Sequence, residues 1–172
     1  ATSALEVLED FELTRGTLVQ GANIDILLKG DTITASSTNP TFTKASGSGL
    51  FKMDGVHDNQ IFIDATTGLQ NWGNVHIGQS PGTTNLNSDF ISDSLTINSS
   101  DTFNTRGYEV DITNFILCEG TCTFNISDAG GNNENDGTIV TLGTDWTMSS
   151  TGTFTADASS TVTFDETANG FI

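Results

Sequence analysis

The chain has 172 residues, with 22 acidic side chains against 5 basic ones and a net charge of −17. So few Lys and Arg exclude a nucleic-acid ligand, whose phosphates are met by those residues, and an anionic membrane surface would repel the chain. Thr, Ser, Asn and Gly number 28, 16, 15 and 18; such weak helix formers exclude a helical bundle, and no apolar run is long enough for a bilayer-spanning helix.

In chain order, Ala4 to Phe11 (ALEVLEDF) predicts one short helical turn, or a strand with Leu5, Val7 and Phe11 as its apolar positions. Phe11 to Asp31 (FELTRGTLVQGANIDILLKGD) reads as a strand ending in Gly-Thr-Leu, a Gly-containing turn, and a strand with Ile24, Ile26 and Leu28 on alternate positions. Asp31 to Gly55 (DTITASSTNPTFTKASGSGLFKMDG) passes through Ser-Ser-Thr and Thr41-Phe42 to Leu50 and Phe51. The pattern weakens over 56–90, where Trp72 sits between Asn71 and Gly73 and reads as a corner residue. Ser94 to Asn114 (SLTINSSDTFNTRGYEVDITN) repeats the form of the Phe11 segment, with Tyr108, Val110 and Ile112 alternating. Cys118 and Cys122 follow, then an acidic Gly/Asn-rich loop at 127–137. Asp145 to Ala168 (DWTMSSTGTFTADASSTVTFDETA) repeats the form of the Asp31 segment, and Trp146 reads as a core residue. The chain ends on the apolar Phe171 and Ile172.

A Thr-Phe or Thr-Leu step recurs at Leu18, Phe42, Phe103, Phe124 and Phe154. Taking the long interval from Phe42 to Phe103 as three units, and removing the acidic loop from the last interval, leaves a unit of ~20 residues, in the range of solenoid repeats. The expected fold is therefore all-β: a parallel β-solenoid of about eight coils over 1–172, a rod of about 35–40 Å. Gly, Asn and Asp make its corners, stacked Thr, Ser and Asn form ladders, and Phe, Ile, Leu and Val fill its core. A β-sandwich or jelly roll is the competing fold. It needs two-residue hairpin turns between strands; Asp54-Gly55 and Asp136-Gly137 qualify, and these are few for an eight-strand antiparallel fold.

The units LTINSSDTFNTRGYEVDI and VTLGTDWTMSSTGTFTADASSTVTFDETANGFI resemble the degenerate tandem repeats of large adhesin-like surface proteins of bacteria and archaea. The resemblance implies a right-handed coil and a secreted, cell-surface, elongated and non-catalytic role. It carries over no catalytic residue.

Candidate sites follow from chemistry. Asp128, Asn132, Asn133, Glu134 and Asp136 offer the oxygen ligands that calcium takes, though not at EF-hand spacing. Cys118 and Cys122 are read as a local disulfide, with a bridge to a neighbouring subunit or two free thiols as alternatives. Trp72 and Tyr108 are the candidate sugar-stacking residues. Leu5, Val7, Phe171 and Ile172 are the candidate assembly residues, at ends that show no capping helix. The carboxylate pairs Asp89/Asp93 and Glu109/Asp111 are read as solvated strand faces, as pairs of this kind arise by composition among 22 acids. His57 and His76 are read as surface or satisfied residues, and no enzyme is expected. The expected function is a structural subunit of an extracellular filament, sheath or surface layer that joins copies of itself through exposed β edges, with divalent cations offsetting the charge. The alternatives are a carbohydrate-binding or adhesin module whose partners are glycans, and a pilus-like sandwich that donates residues 4–13 as a strand.

Overall fold

The structure, a computed structural model, describes residues 4–38, 40–54, 59–78, 82–127 and 139–165. Among the described residues there is no helix; the chain winds through short strands joined by corners. The first coil carries β1 (Ala4–Val7), β2 (Phe11–Leu13) and β3 (Thr17–Val19), and the second β4 (Asp25–Leu28), β5 (Thr32–Ala35) and β6 (Thr41–Thr43). The third has β7 (Leu50–Met53) and β8 (Asn59–Asp64), and the fourth β9 (Asn74–Ile77), β10 (Thr83–Leu86) and β11 (Phe90–Ser92). Then come β12 (Ser94–Ile97), β13 (Thr102–Asn104) and β14 (Val110–Ile112), followed by β15 (Phe115–Cys118), β16 (Thr123–Asn125) and β17 (Ile139–Leu142). The last coil has β18 (Asp145–Met148), β19 (Thr153–Thr155) and β20 (Thr161–Phe164).

The chain is a parallel β-solenoid. In a regular coil each strand meets its counterpart one coil on. The first sheet runs β1-β4-β7-β9-β12-β15-β18, and the second β2-β5-β8-β10-β13-β16-β19. The third face is split into β3-β6 and β11-β14-β17-β20. Seven coils, rather than about eight, make a rod of about 30 Å at the usual strand spacing. The sandwich is excluded, because β1 and β2 pair in parallel with β4 and β5 of their own chain. Residues 4–13 are thus a built-in first coil and not a free donor strand.

The register corrects the repeat. In the first sheet Leu5, Ile26, Phe51, Val75, Leu95, Ile116 and Trp146 form one inward column, one residue from each coil. The coils are unequal in length, and the widest step, from Ile116 to Trp146, is the one that contains the acidic loop. Leu18 lies beside Phe42, and Phe103 beside Phe124 beside Phe154, as expected. Phe42, however, is on the third face and Phe103 in the second sheet, so the interval between them is not a whole number of coils.

Short strands with strict alternation explain the core. Each buries alternate residues, as in Asp25–Leu28 and Asn74–Ile77. Aromatic rings run the length of the rod: Phe11, Phe51, Trp72, Phe62, Phe90, Phe103, Phe124 and Phe154 touch in sequence, with centroids 4.8 to 6.1 Å apart after a first step of 6.4 Å. Ring pairs at such distances stabilise by about 0.5–1.5 kcal/mol each beyond the area they bury. Outside, Asn85, Asn104 and Asn125 stack in register and pass side-chain hydrogen bonds along the rod, at 3.0 and 3.4 Å. The same four-residue corner recurs in three successive coils, closed by Asp101, Cys122 and Gly152 N–H groups donating to the carbonyls of Asn98, Glu119 and Ser149. Cys118 and Cys122, both fully buried, are disulfide-bonded across the middle one of these, so the bridge is local.

Candidate functional site

The third coil departs from the pattern. After Asp64 the chain makes no third strand, and residues 65–73 fold instead around the buried Asp64 carboxylate. Its Oδ1 accepts the Thr66 N–H and hydroxyl at 3.0 and 2.6 Å. Its Oδ2 accepts the Gln70 N–H at 2.6 Å and the Trp72 indole N–H at 3.2 Å. Gln70 then takes the place of a strand, its Oε1 accepting the Phe42 N–H at 2.8 Å. Trp72 turns inward, stacked on Phe42 and 0% exposed. It therefore cannot stack a sugar. Its Asn and Gly neighbours do mark an irregular segment, but an indole with its N–H satisfied is worth more in the core than at a corner. Tyr108 is half-buried against the core.

Acidic residues serve the stack. Asp10 accepts the N–H groups of Asp31 and Thr32, Asp25 that of Leu50, and Asp89 that of Glu109, each reaching the next coil. Asp93 binds Lys44 and Asn71. Asp89 and Asp93 are thus corner acceptors, while Glu109 and Asp111 flank the buried Val110 and face outward as expected. Asp101 is the exception. It is fully buried, its Oδ1 accepts the Gly82 N–H at 3.2 Å, and its Oδ2 has no hydrogen-bond partner among the described residues. Burial pushes its pKa up to about 7; the Gly82 bond opposes this and the Asp54 charge adds to it.

Two surfaces are left open. At the ends, residues on inward columns are uncovered: Leu5 is 44% exposed in the first coil, and Phe154 and Phe164 are 41% and 51% exposed in the last. Leu5 was foreseen as an assembly residue, while Val7 is half-buried against the core. The exposure of Phe154 and Phe164 is not legible in the sequence, because a Thr-Phe step looks the same in an end coil as in a middle one. Phe171 and Ile172 lie outside the described residues, as do His57 and the proposed calcium ligands Asp128, Asn132, Asn133, Glu134 and Asp136.

The second open surface is a groove of about 380 Å³ on the outer face of the first sheet. Asn74 and His76 of β9 and Ser94 and Thr96 of β12 lie in its middle. Leu50 of β7 flanks it on one side, and Phe115 and Leu117 of β15, with Glu119 beyond, on the other. The floor is held in place: Ser94 donates to Asn74 at 3.0 Å, Asn74 to the Gly47 carbonyl at 3.3 Å, and His76 Nε2 pairs with Asn98 at 2.7 Å. Sequence reasoning did not find this groove, since its residues come from four coils. Compared with known protein families, curated proteins and solved structures, the chain matches none.

Proposed function

We propose that the chain is a structural subunit of an extracellular filament, sheath or surface layer, built by stacking coils of one copy on those of the next. The observation that carries the reading is the exposure of inward apolar residues in the first and last described coils, Leu5 in one and Phe154 and Phe164 in the other, where each strand pairs with one described neighbour only. An open strand edge is a template for pairing, and an end-to-end contact between unlike surfaces propagates without closing. In the first sheet the stack would set Leu5 and Val7 of one copy on the column that ends in Trp146 and Met148 of another. The buried local disulfide supports an oxidising, extracellular setting. Both end coils are acidic, with Glu6, Glu9, Asp10 and Glu12 in one and Asp145, Asp157 and Asp165 in the other. Divalent cations such as calcium would therefore strengthen the joint by lowering its repulsion.

Negative-stain electron microscopy of the purified chain, with millimolar calcium and then with a chelator, tests this. Filaments or sheets are expected, shorter or absent after chelation. Phe154→Asp should abolish them while the circular dichroism of the single chain stays unchanged and its melting temperature falls only by what the lost contacts with Phe124 and Trp146 supply. Isolated short rods under both conditions, at high protein concentration, would overturn the proposal.

A further inference from the structure

The groove on the first sheet calls for an occupant that the end-to-end reading does not supply. Its middle is polar: the Asn74 amide, the His76 imidazole and the hydroxyls of Ser94 and Thr96. Its sides are apolar, with Leu50 facing Phe115 and Leu117 across three strand spacings, about 14 Å. Phe115 is 38% exposed although its neighbours in register on the adjoining strands are the polar Ser94 and Asp145. No Lys or Arg lines the groove, and its one carboxylate is Glu119. A phosphate or a carboxylate would find no Lys or Arg among the lining residues to pair with. A flat ligand with apolar C–H faces and hydroxyl edges fits both parts of the lining.

We infer that this groove binds a neutral glycan, one sugar ring lying against Phe115 with its hydroxyls on Thr96, Ser94 and Asn74. The chemistry is that of an ordinary small-ligand site: mostly apolar walls, a few placed polar groups, and a volume in the usual range. The floor needs little reorganisation, because β9 and β12 are paired to each other and to strands on both sides, so little ordering entropy is lost on binding. Ser94 already donates to Asn74 and keeps lone pairs to accept from a sugar hydroxyl. Glu119, at the rim, can accept one more.

The test is a titration of the ¹⁵N-labelled full chain with neutral oligosaccharides of glucose, N-acetylglucosamine and xylose, and with oligogalacturonate as the anionic comparison. The expected result is that at least one neutral sugar shifts the amides of residues 74–76, 94–96 and 115–117, and that oligogalacturonate does not. Phe115→Ala should weaken that binding about tenfold. Thr96→Val should weaken it less, and both variants should melt as the parent does. Three outcomes overturn the inference: no shift with any neutral sugar up to millimolar concentration, an affinity unchanged in Phe115→Ala, or shifts at these amides that follow protein concentration without sugar. The last would make the face a contact between copies.

Discussion

Asp101 and Asp64 are both buried acids, yet they do opposite things. Asp64 has a hydrogen-bond donor on each oxygen and organises the irregular third coil, holding even the strained Leu69 at φ 45°. Asp101 has one oxygen without a hydrogen-bond partner among the described residues, and its pKa is raised to about 7. The folded chain therefore keeps a proton that the unfolded chain releases near 3.8. Protons favour the folded state, so this group's contribution is full below pH ~4, declines as pH rises to ~7, and is flat above that. Asp101→Asn removes the charge but keeps the oxygen that accepts from Gly82. In urea unfolding it should be more stable than the parent by about 1–3 kcal/mol at pH 8, with the gap closing below pH ~5. An equal difference at both pH values would show that the buried charge is not what matters. Neither acid stands out in the sequence, where 22 acids look alike; burial separates them.

Gly73 shows how elements are joined across the interrupted face. It has φ +74°, and a Cβ there would lie 3.0 Å from Lys44 Cβ. The Lys44 side chain passes over this gap from the second coil to Asp93 of the fourth, where Gly73 O also accepts the Asp93 N–H at 2.8 Å. Gly73→Ala should cost about 1–3 kcal/mol in urea unfolding, from left-handed strain plus loss of the ion pair. In that background Lys44→Ala should cost less than in the parent, a coupling that a double-mutant cycle reads directly. The strands themselves were legible from alternation, because a two-residue period survives even in very short strands. Which face each strand joins was not. The Asp31 segment aligns with the Asp145 segment in sequence, yet the first lies on β5-β6-β7 and the second on β18-β19-β20, one face out of step. The Phe11 and Ser94 segments are displaced in the same way. Every side of the coil is a short alternating strand with a Gly or Asn corner, so the similarity marks sides, not whole turns.

Charge is distributed unevenly over the whole molecule. All five Lys and Arg lie at or before Arg106, and ten acids follow it without one cation. Lys29 with Asp54, Lys44 with Asp93 and Lys52 with Asp25 tie the early coils together. The later coils rely on ring contacts, ladders and the disulfide. In a solenoid each coil touches only its neighbours, so such a difference stays local. Raising the ionic strength from about 10 mM to about 150 mM should therefore slow amide exchange in β17 to β20 more than in β4 to β9. Uniform slowing along the rod would count against a local effect.

Composition and alternation by themselves determined an all-β chain with Gly and Asn corners, stacked polar ladders and an aromatic core, because each of these depends on residues close in sequence; the spacing of Cys118 and Cys122 left a local disulfide, an intersubunit bridge and free thiols open, and the structure decided for the first. The tertiary structure alone decided what stacking brings together. It put seven coils in register, turned Trp72 inward onto Asp64, buried Asp101 with no described hydrogen-bond partner for its second oxygen, left Phe154 and Phe164 uncovered, and assembled a groove from Leu50, Asn74, Thr96 and Phe115. Coils of unequal length, with irregular insertions, place these residues side by side, and that register is set by packing between coils, which no local pattern records.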